Sequence, residues 1–222
     1  MTQKTWTAVD KYVSEMLVSS DKALDAALEA SADSGLPQIA VAPNQGKLLM
    51  LLARSINART ILEIGTLGGY STIWLARALP EGGRVVTLEA EPRHAKVARA
   101  NFDRAGLAQM IDLRLGKALD TLPKLAAERP APFDFIFIDA DKENIPDYFT
   151  WSLKLARPGS MIIVDNVVRD GKVIDAESHN HSIRGVRRFN EMLKQETRIS
   201  ATTIQTVGVK GYDGFTLALV TG

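Results

Sequence analysis

From residue 59 onward the sequence alternates short apolar runs, rich in β-branched residues, with longer segments whose apolar residues recur at helical spacing. Nearly continuous apolar runs are typical of strands buried on both faces of a sheet. When such strands alternate with helices, the connections are crossovers and the strands are parallel. We therefore predict a doubly wound α/β fold of the Rossmann-like type. The predicted parallel strands are 59–65, 84–90, 111–116, 133–140 and 161–167.

The C-terminal end departs from this alternation. Two β-rich segments, 199–209 and 214–220, are separated only by the tetrapeptide KGYD. Such a connection is too short for a crossover helix, so the two segments should pair as an antiparallel hairpin. The prediction is a seven-stranded, mostly parallel sheet with an antiparallel last strand and the hairpin at one edge.

The region before the first strand has helical patterns at 5–33 and 43–56. The chain shows no repeat and no linker, and 222 residues suit one α/β domain. We therefore expect a single domain over 1–222, with a helical N-terminal cap at 1–57 and a doubly wound core at 58–222.

Composition restricts the function classes. A net charge of +1 gives no field that would favour a polyanion, although RGVRR at 184–188 could form a local basic patch. The absence of cysteine excludes disulfides, thiolate zinc sites and a cysteine nucleophile. No apolar stretch approaches the ~18 residues that a membrane span requires, and the polar N-terminus argues against a secretion signal. We expect a cytoplasmic protein with no membrane contact.

A glycine-rich turn follows the first predicted strand. The stretch EIGTLGGYS (63–71) allows a tight turn and a close approach of backbone to a ligand, but Leu67 stands where a dinucleotide G-x-G-x-x-G motif needs its second glycine. The second strand ends in Glu89, 24 residues after Gly65, where this fold places an acid that binds ribose hydroxyls. The combination indicates a nucleoside ligand, whereas Glu89 alone could be merely solvated.

Oxygen-bearing side chains end the fourth and fifth predicted strands. Asp139 follows one, and the pair Asp165 and Asn166 follows the other. Carboxylate and amide oxygens without histidine or cysteine suit a hard cation such as Mg²⁺ or Ca²⁺ better than zinc. The alternative for each acid alone is a cap on the following helix or loop.

In this order, EIGTLGGYS, Glu89, FDFIFIDADK and IIVDNV resemble the cation-dependent O-methyltransferases of the catechol and caffeoyl-CoA type, which use S-adenosylmethionine. The resemblance extends from about Val41 to the C-terminus. Within the family, the sequence is similar to the small bacterial members. It implies a class I methyltransferase fold, a small vicinal-diol aromatic substrate, a divalent cation (Mg²⁺, Mn²⁺ or Ca²⁺) and a homodimer. The N-terminal helices would lie over the site and take part in dimer contacts.

The resemblance also implies roles for individual residues. Asp139, Asp165 and Asn166 would bind the metal, and Lys142 matches the catalytic lysine that accepts the proton of the acceptor hydroxyl. Asp139 would serve catalysis as well. The residues implied to surround S-adenosylmethionine are Val41, Glu63, Gly65, Thr66, Ser71, Glu89, Ala118 and Asp139.

Two departures leave the acceptor open. Thr216 occupies the position at which catechol enzymes carry a glutamate, and Asp170 replaces an asparagine that contacts substrate in plant enzymes. One alternative keeps the chemistry and changes the acceptor to 5-hydroxyuridine in tRNA, against which the near-neutral charge counts mildly. Alternatives of another class are a nucleotide-dependent dehydrogenase and a non-catalytic nucleoside-binding module.

The most polar part of the chain, 167–190, directly follows the predicted metal pair and is interpreted as a lid. Within it, HNH at 179–181 invites a metal-binding interpretation, but histidines two residues apart in a polar loop are more often surface residues. His94 has no evident partner. Trp74, Trp151 and Tyr148, on amphipathic helices, are expected in the core.

Overall fold

The computed structural model describes residues 2–19, 21–128 and 132–222. Within these residues the chain forms eight α-helices and seven strands of one sheet. The α-helices are α1 (Gln3–Leu17), α2 (Lys22–Asp33), α3 (Pro43–Ser55), α4 (Tyr70–Ala76), α5 (Pro92–Arg104), α6 (Ala118–Glu128), α7 (Ile145–Leu155) and α8 (His181–Gln195). The strands are β1 (Thr60–Ile64), β2 (Arg84–Glu89), β3 (Ile111–Leu115), β4 (Phe135–Ile138), β5 (Met161–Asp165), β6 (Ile199–Gly208) and β7 (Gly211–Val220).

The strand order is β3-β2-β1-β4-β5-β7-β6. Strands β1 to β5 are parallel to one another, and β7 runs antiparallel to both β5 and β6. This arrangement confirms the predicted doubly wound sheet with its antiparallel last strand and edge hairpin. The chain order reverses between β1 and β4, so the crevice beyond their carboxyl ends is where this fold binds ligands.

The sheet is covered by apolar layers on both faces. Ile61, Phe135 and Phe137 point to the layer that includes α2 to α5, whereas Leu62 and Ile136 point to the layer that includes α6 to α8. All of these side chains are fully buried. The near-continuous apolar strands of the sequence follow from this burial on two sides.

The N-terminal helical segment is divided. The predicted pattern at 5–33 breaks between α1 and α2, where Asp21 caps α2 by accepting hydrogen bonds from the backbone N–H of Ala23 (3.0 Å) and Leu24 (3.1 Å). Helix α1 buries no residue fully, although Asp10 on it accepts a hydrogen bond from the backbone N–H of Val209 at 2.7 Å. Helix α1 of the N-terminal region therefore contacts the turn of the edge hairpin.

The segment 167–190 is not one loop, so the lid interpretation is wrong for its second half. Residues 181–190 belong to α8, which begins at the cap Asn180 and buries Ile183, Val186 and Phe189 in the core. Only the part before α8 is irregular, with a short 3₁₀ turn at Lys172–Ile174.

No helix in the described ranges combines the length and the apolar character that crossing a membrane requires.

Candidate functional site

A cavity of about 1080 Å³ lies at the carboxyl ends of β1, β2, β4 and β5. Ligand sites of small molecules commonly reach ~1,000 Å³, so the cavity has room for a nucleoside-sized ligand and a second small molecule. Glu63 and Asp165 are the only predicted site residues that do not line it. Those that do are Val41, Gly65, Thr66, Ser71, Glu89, Ala118, Asp139, Lys142 and Asn166.

The glycine-rich turn brings two strand ends together. Gly65 has φ +102°, and a Cβ built on it would lie 2.2 Å from the carbonyl oxygen of Asp139. No side chain fits in that space, so Gly65 allows the end of β1 to pack directly against the end of β4. The turn thus joins the predicted nucleoside residues to the predicted metal residues.

Glu89 is held at the edge of the cavity by backbone donors. Its carboxylate accepts hydrogen bonds from the N–H groups of Thr66 (3.2 Å), Leu67 (2.7 Å) and Glu91 (2.9 Å). The Nδ1 atom of His94 lies 3.4 Å from the same carboxylate, which supplies the partner that the sequence did not reveal. The orientation of Glu89 is therefore fixed by the turn itself.

Glu63 lies beneath the cavity instead of in its wall. It is fully buried and accepts hydrogen bonds from the hydroxyls of Ser71 (2.6 Å), Thr72 and Thr87 (2.7 Å). Burial raises its pKa to about 7, against the lowering effect of the three hydroxyls. Glu63 is linked to the cavity through Ser71, which lines it, and through Thr87, whose hydroxyl lies 2.6 Å from that of the lining residue Thr66.

The acidic pair and the lysine lie together at the ends of β4 and β5. Ile138 pairs with Val164 in the parallel register, so Asp139 and Asp165 follow on adjacent strands. The Nζ atom of Lys142 lies 2.7 Å from Oδ1 of Asp139. Burial raises the pKa of Asp165, and the negative charge of Asp139 raises it further, while Lys142 opposes this shift.

Asp165 also has two neutral donors. Its Oδ1 accepts from the backbone N–H of Asn166 at 2.8 Å, and its Oδ2 accepts from Nε2 of Gln45 at 2.7 Å. Gln45 comes from α3 in the N-terminal region, 120 positions away in the chain. Asn166 has φ +57°, a left-handed conformation that is uncommon for a residue other than glycine.

The donor set fits a hard cation. Asp139, Asp165 and Asn166 offer carboxylate and amide oxygens on adjacent strand ends. The pKa of Asp165 is raised first by burial and then by the negative charge of Asp139, and a dication would offset that repulsion. Among the described residues no group of three or more histidine, cysteine, aspartate and glutamate side chains is placed to bind a metal, so a cation here would need the amide of Asn166 as a third donor. The HNH histidines are not part of such a group.

Lys142 is fixed through its backbone by α8. A Cβ built on Gly185 would lie 2.2 Å from the carbonyl oxygen of Lys142 and 2.7 Å from Cα of Glu143. Helix α8 therefore packs directly onto the 3₁₀ turn Lys142–Asn144. Gly185 is required for this contact, and nothing in the sequence pattern of 184–188 indicated it.

An aspartate and a tyrosine, Asp141 and Tyr148, line the cavity near Lys142. Asp141 accepts a hydrogen bond from the hydroxyl of Tyr148 and another from Nδ2 of Asn144 at 2.6 Å. Tyr148 is buried as predicted, but it also lines the cavity. Burial, together with the Asp141 carboxylate, raises the pKa of Tyr148.

The two positions that depart from the family pattern lie outside the cavity lining. Thr216 is buried within β7, where its hydroxyl lies 2.8 Å from that of Thr203. Asp170 is exposed and pairs with Lys172 at 3.7 Å. Arg169, which the sequence did not single out, lines the cavity instead.

The comparisons with known proteins agree with one another. The family described as O-methyltransferase matches residues 13–220. A relative named catechol O-methyltransferase, from Niastella koreensis, is 54% identical over 99% of this chain and 100% of its own length. The O-methyltransferase of Bacillus cereus in complex with SAH has a TM-score of 0.98 at 56% identity, covering 99% of this chain and 100% of that one. TomG of Streptomyces achromogenes, an O-methyltransferase of tomaymycin synthesis in complex with SAM, has a TM-score of 0.96 at 55% identity, covering 100% of both.

Proposed function

The chain belongs to the O-methyltransferase family, and on that premise we propose that it transfers the methyl group of S-adenosylmethionine (SAM) to a hydroxyl of a small catechol-like or caffeoyl-like aromatic, with a divalent cation. One observation carries the proposal. A single cavity joins the glycine-rich turn and Glu89 to the group formed by Asp139, Lys142 and Asn166. A nucleoside-bound methyl donor and an ionisable acceptor would thus meet between the two.

The β1 and β2 side of the cavity suits SAM. Glu89 is oriented to accept hydrogen bonds from ribose hydroxyls, and Val41 and Ala118 supply apolar contacts beside it. Ser71, held by Glu63, and the backbone at Gly65 and Thr66 complete the proposed contacts. Two matched structures are complexes with SAH and SAM, which supports this assignment. SAM supplies an electrophilic methyl group on a sulfonium.

The β4 and β5 side suits the cation and the acceptor. Asp139, Asp165 and Asn166 would bind Mg²⁺ or another hard dication such as Mn²⁺ or Ca²⁺. A dication bound there would favour the ionised form of the acceptor hydroxyl. Asp139 would then hold the cation while its carboxylate also contacts Lys142, whose Nζ lies 2.7 Å from Oδ1.

Lys142 acts as the general base in this proposal. In its neutral form, Nζ accepts the proton of the acceptor hydroxyl and becomes an ammonium beside Asp139, and the resulting oxygen attacks the methyl carbon. The bond between carbon and sulfur breaks as the bond between oxygen and carbon forms, and the electron pair stays on sulfur. The packing of α8 against the backbone of Lys142 keeps this amine next to Asp139.

Methyl transfer from labelled SAM to catechol, assayed with Mg²⁺ and with EDTA, tests the proposal. We expect turnover with Mg²⁺ and loss of turnover with EDTA, and Asp139→Ala should remove the Mg²⁺ dependence together with the activity. Turnover that survives both EDTA and Asp139→Ala would contradict the metal-dependent mechanism.

We also propose a cytoplasmic homodimer. Strand β6 is the edge of the sheet and is exposed along nearly its whole length, and Val9, Tyr12 and Met16 on α1 are exposed apolar residues beside it. An exposed edge with apolar neighbours is a surface that a second copy can cover. Light scattering should then give twice the chain mass of 24.2 kDa.

A further inference from the structure

Arg169 lies in the wall of the cavity, and its guanidinium has unfilled hydrogen-bonding capacity. It follows Asn166 by three residues and lines the same cavity as Lys142 and Asn166. None of its side-chain N–H groups forms a hydrogen bond within the described residues, and its Nε is buried without a partner. A guanidinium has five donors in a fixed fork, so this side chain retains most of its capacity to bind a planar anion.

The nearby carboxylate does not saturate it. The Oδ2 atom of Asp213 lies 3.9 Å from a terminal nitrogen of Arg169, which is too far for a hydrogen bond. The Oδ1 atom is occupied by the backbone N–H groups of Val168 (3.0 Å), Arg169 (2.9 Å) and Gly214 (3.0 Å). Asp213 therefore positions the backbone at Arg169 and forms a long ion pair with the guanidinium, whose hydrogen-bonding capacity is left for other partners.

The backbone at this point is held in an unusual conformation. Arg169 has φ +57° and Asp170 has φ +56°, both in the left-handed region that side chains other than glycine rarely adopt. Such conformations persist where surrounding contacts fix them, and here the contacts come from Asp213 and from the carbonyl of Tyr212, which accepts from the N–H of Asp170 at 3.2 Å. The side chain of Arg169, 35% exposed, is thus presented to the cavity by a fixed loop and not by a free one.

Lys142 differs from Arg169 because its side chain already has a hydrogen-bonded partner. Lys142 is already paired with Asp139 at 2.7 Å, and Arg169 has no comparable partner. One guanidinium that lacks a hydrogen-bond partner, in a wall that also carries Asp139 and Asp141, suits a single negative charge better than a doubly charged phosphate.

We propose that Arg169 binds a carboxylate on the methyl acceptor, so that the preferred acceptors are diol-bearing aromatic acids and not neutral catechols. This inference rests on the proposed function and refines its substrate class. A forked pair between guanidinium and carboxylate fixes the acceptor at the end opposite its hydroxyls. Arg169 is then a specificity-determining residue that takes no part in the proton transfer.

The test compares each acid with its methyl ester. The acceptors are 3,4-dihydroxybenzoate, 3,4-dihydroxycinnamate and their methyl esters, assayed with Mg²⁺ and SAM on the wild type and on Arg169→Gln. A charge-assisted pair of this kind contributes enough affinity for roughly a 10- to 100-fold effect. We expect the wild type to favour at least one acid over its ester by that factor in kcat/KM. Arg169→Gln should lose the preference through a higher KM for the acid, with the ester unchanged.

Two further variants separate charge from fold. Arg169→Lys, which keeps the charge and loses the fork, should retain part of the preference. Lys172→Gln removes a positive charge from the same loop at an exposed residue outside the cavity lining. This variant should retain the whole preference for the acid over its ester.

The outcomes are distinguishable. If the wild type methylates esters and acids equally, or if Arg169→Gln slows both alike, the carboxylate inference is wrong while the methyltransferase proposal stands. If neither acids nor esters nor catechol are methylated, the proposed function itself fails. Calorimetry of 3,4-dihydroxybenzoate and 3,4-dihydroxycinnamate with SAH-loaded protein gives an independent readout, since Arg169→Gln should weaken binding of the preferred acid by the same factor.

Discussion

The two sides of the cavity treat their charged groups differently. On the β1 and β2 side, Glu63 accepts hydrogen bonds from three hydroxyls and Glu89 from three backbone N–H groups. On the β4 and β5 side, Asp139 is paired with one lysine, Asp165 keeps a raised pKa, and the side chain of Arg169 has no hydrogen-bond partner among the described residues. Glu63 and Glu89 are thus held in place by protein donors, whereas the second side retains more bonding capacity for ligands. We expect substitution of the enclosed Glu63 to affect stability and substitutions on the second side to affect the reaction.

The largest expected effect comes from Lys142→Ala. Loss of a general base typically lowers the rate ~10²- to 10⁴-fold, so kcat should fall by that factor while SAH binds with nearly wild-type affinity. Steady-state kinetics and calorimetry with SAH measure the two quantities. Lys154→Ala, on α7 and outside the cavity lining, should leave both unchanged. A matching loss of SAH affinity in Lys142→Ala would mean that the lysine also supports the β1 and β2 side, and the contrast between the sides would fail.

An intermediate effect is expected for Glu63→Gln, and it concerns stability. The folded pKa of Glu63 is about 7 against 4.5 for the free side chain, so the folded state binds the proton more tightly. Raising the pH through this window therefore lowers the free energy of unfolding, by roughly 3 kcal/mol at about 1.4 kcal/mol per pKa unit. Glu63→Gln cannot ionise and should remove the part of the decline that Glu63 contributes, whereas the raised pKa of Asp165 leaves a decline of its own in both proteins.

Urea unfolding at several pH values between 4.5 and 7, without ligands, measures the difference between wild type and variant. Glu81→Gln, at an exposed turn, is the matched control and should follow the wild type. If Glu63→Gln keeps the full decline, the buried carboxyl is not the group that produces it.

The smallest effect is expected for Gln45→Ala. Gln45 donates to Oδ2 of Asp165 and so orients one of the proposed cation ligands. Loss of such an orienting partner commonly weakens metal affinity ~10-fold or somewhat more. Calorimetric titration of Mg²⁺ into SAH-loaded protein should show a loss of about tenfold, with SAH affinity in the absence of Mg²⁺ unchanged. The exposed Gln38→Ala should behave as wild type, and unchanged Mg²⁺ affinity in Gln45→Ala would limit its role to packing.

The sheet could be predicted from sequence because its signal is local. Each parallel strand is apolar along its length, as in FIFI at Phe135–Ile138, since burial on both faces leaves no polar position. Helix α8 was missed for the opposite reason. Its buried residues Ile183, Val186 and Phe189 are interleaved with arginines and with Gly185, so the segment has the composition of a polar loop. The apolar spacing was present, but the lid interpretation gave more weight to polarity.

The site was predictable where it follows strand ends. Glu89, Asp139, Asp165 and Asn166 stand directly after or at the end of strands, and parallel strands bring these positions to one edge. Gln45 and Arg169 could not be found this way. Gln45 reaches Asp165 across 120 positions, and Arg169 depends on a loop conformation fixed by Asp213, which lies 44 positions later. Glu63 was assigned to the ligand from the motif, although its side chain is enclosed by hydroxyls.

Gly185 has a consequence for how this scaffold can be altered. The irregular segment between Asn166 and α8 begins at a backbone bond from Val167 to the carbonyl of Gly214 (3.0 Å) and is followed by a helix locked onto Lys142 at Gly185. Both attachments belong to the framework, and each doubling of a loop's length costs only about 0.6 kcal/mol. The segment can therefore be lengthened, shortened or exchanged without displacing the lysine. Loop grafting at this site would carry Arg169 in or out with the graft while the rest of the cavity stays in place, which on the proposed role of Arg169 would change the acceptor preference.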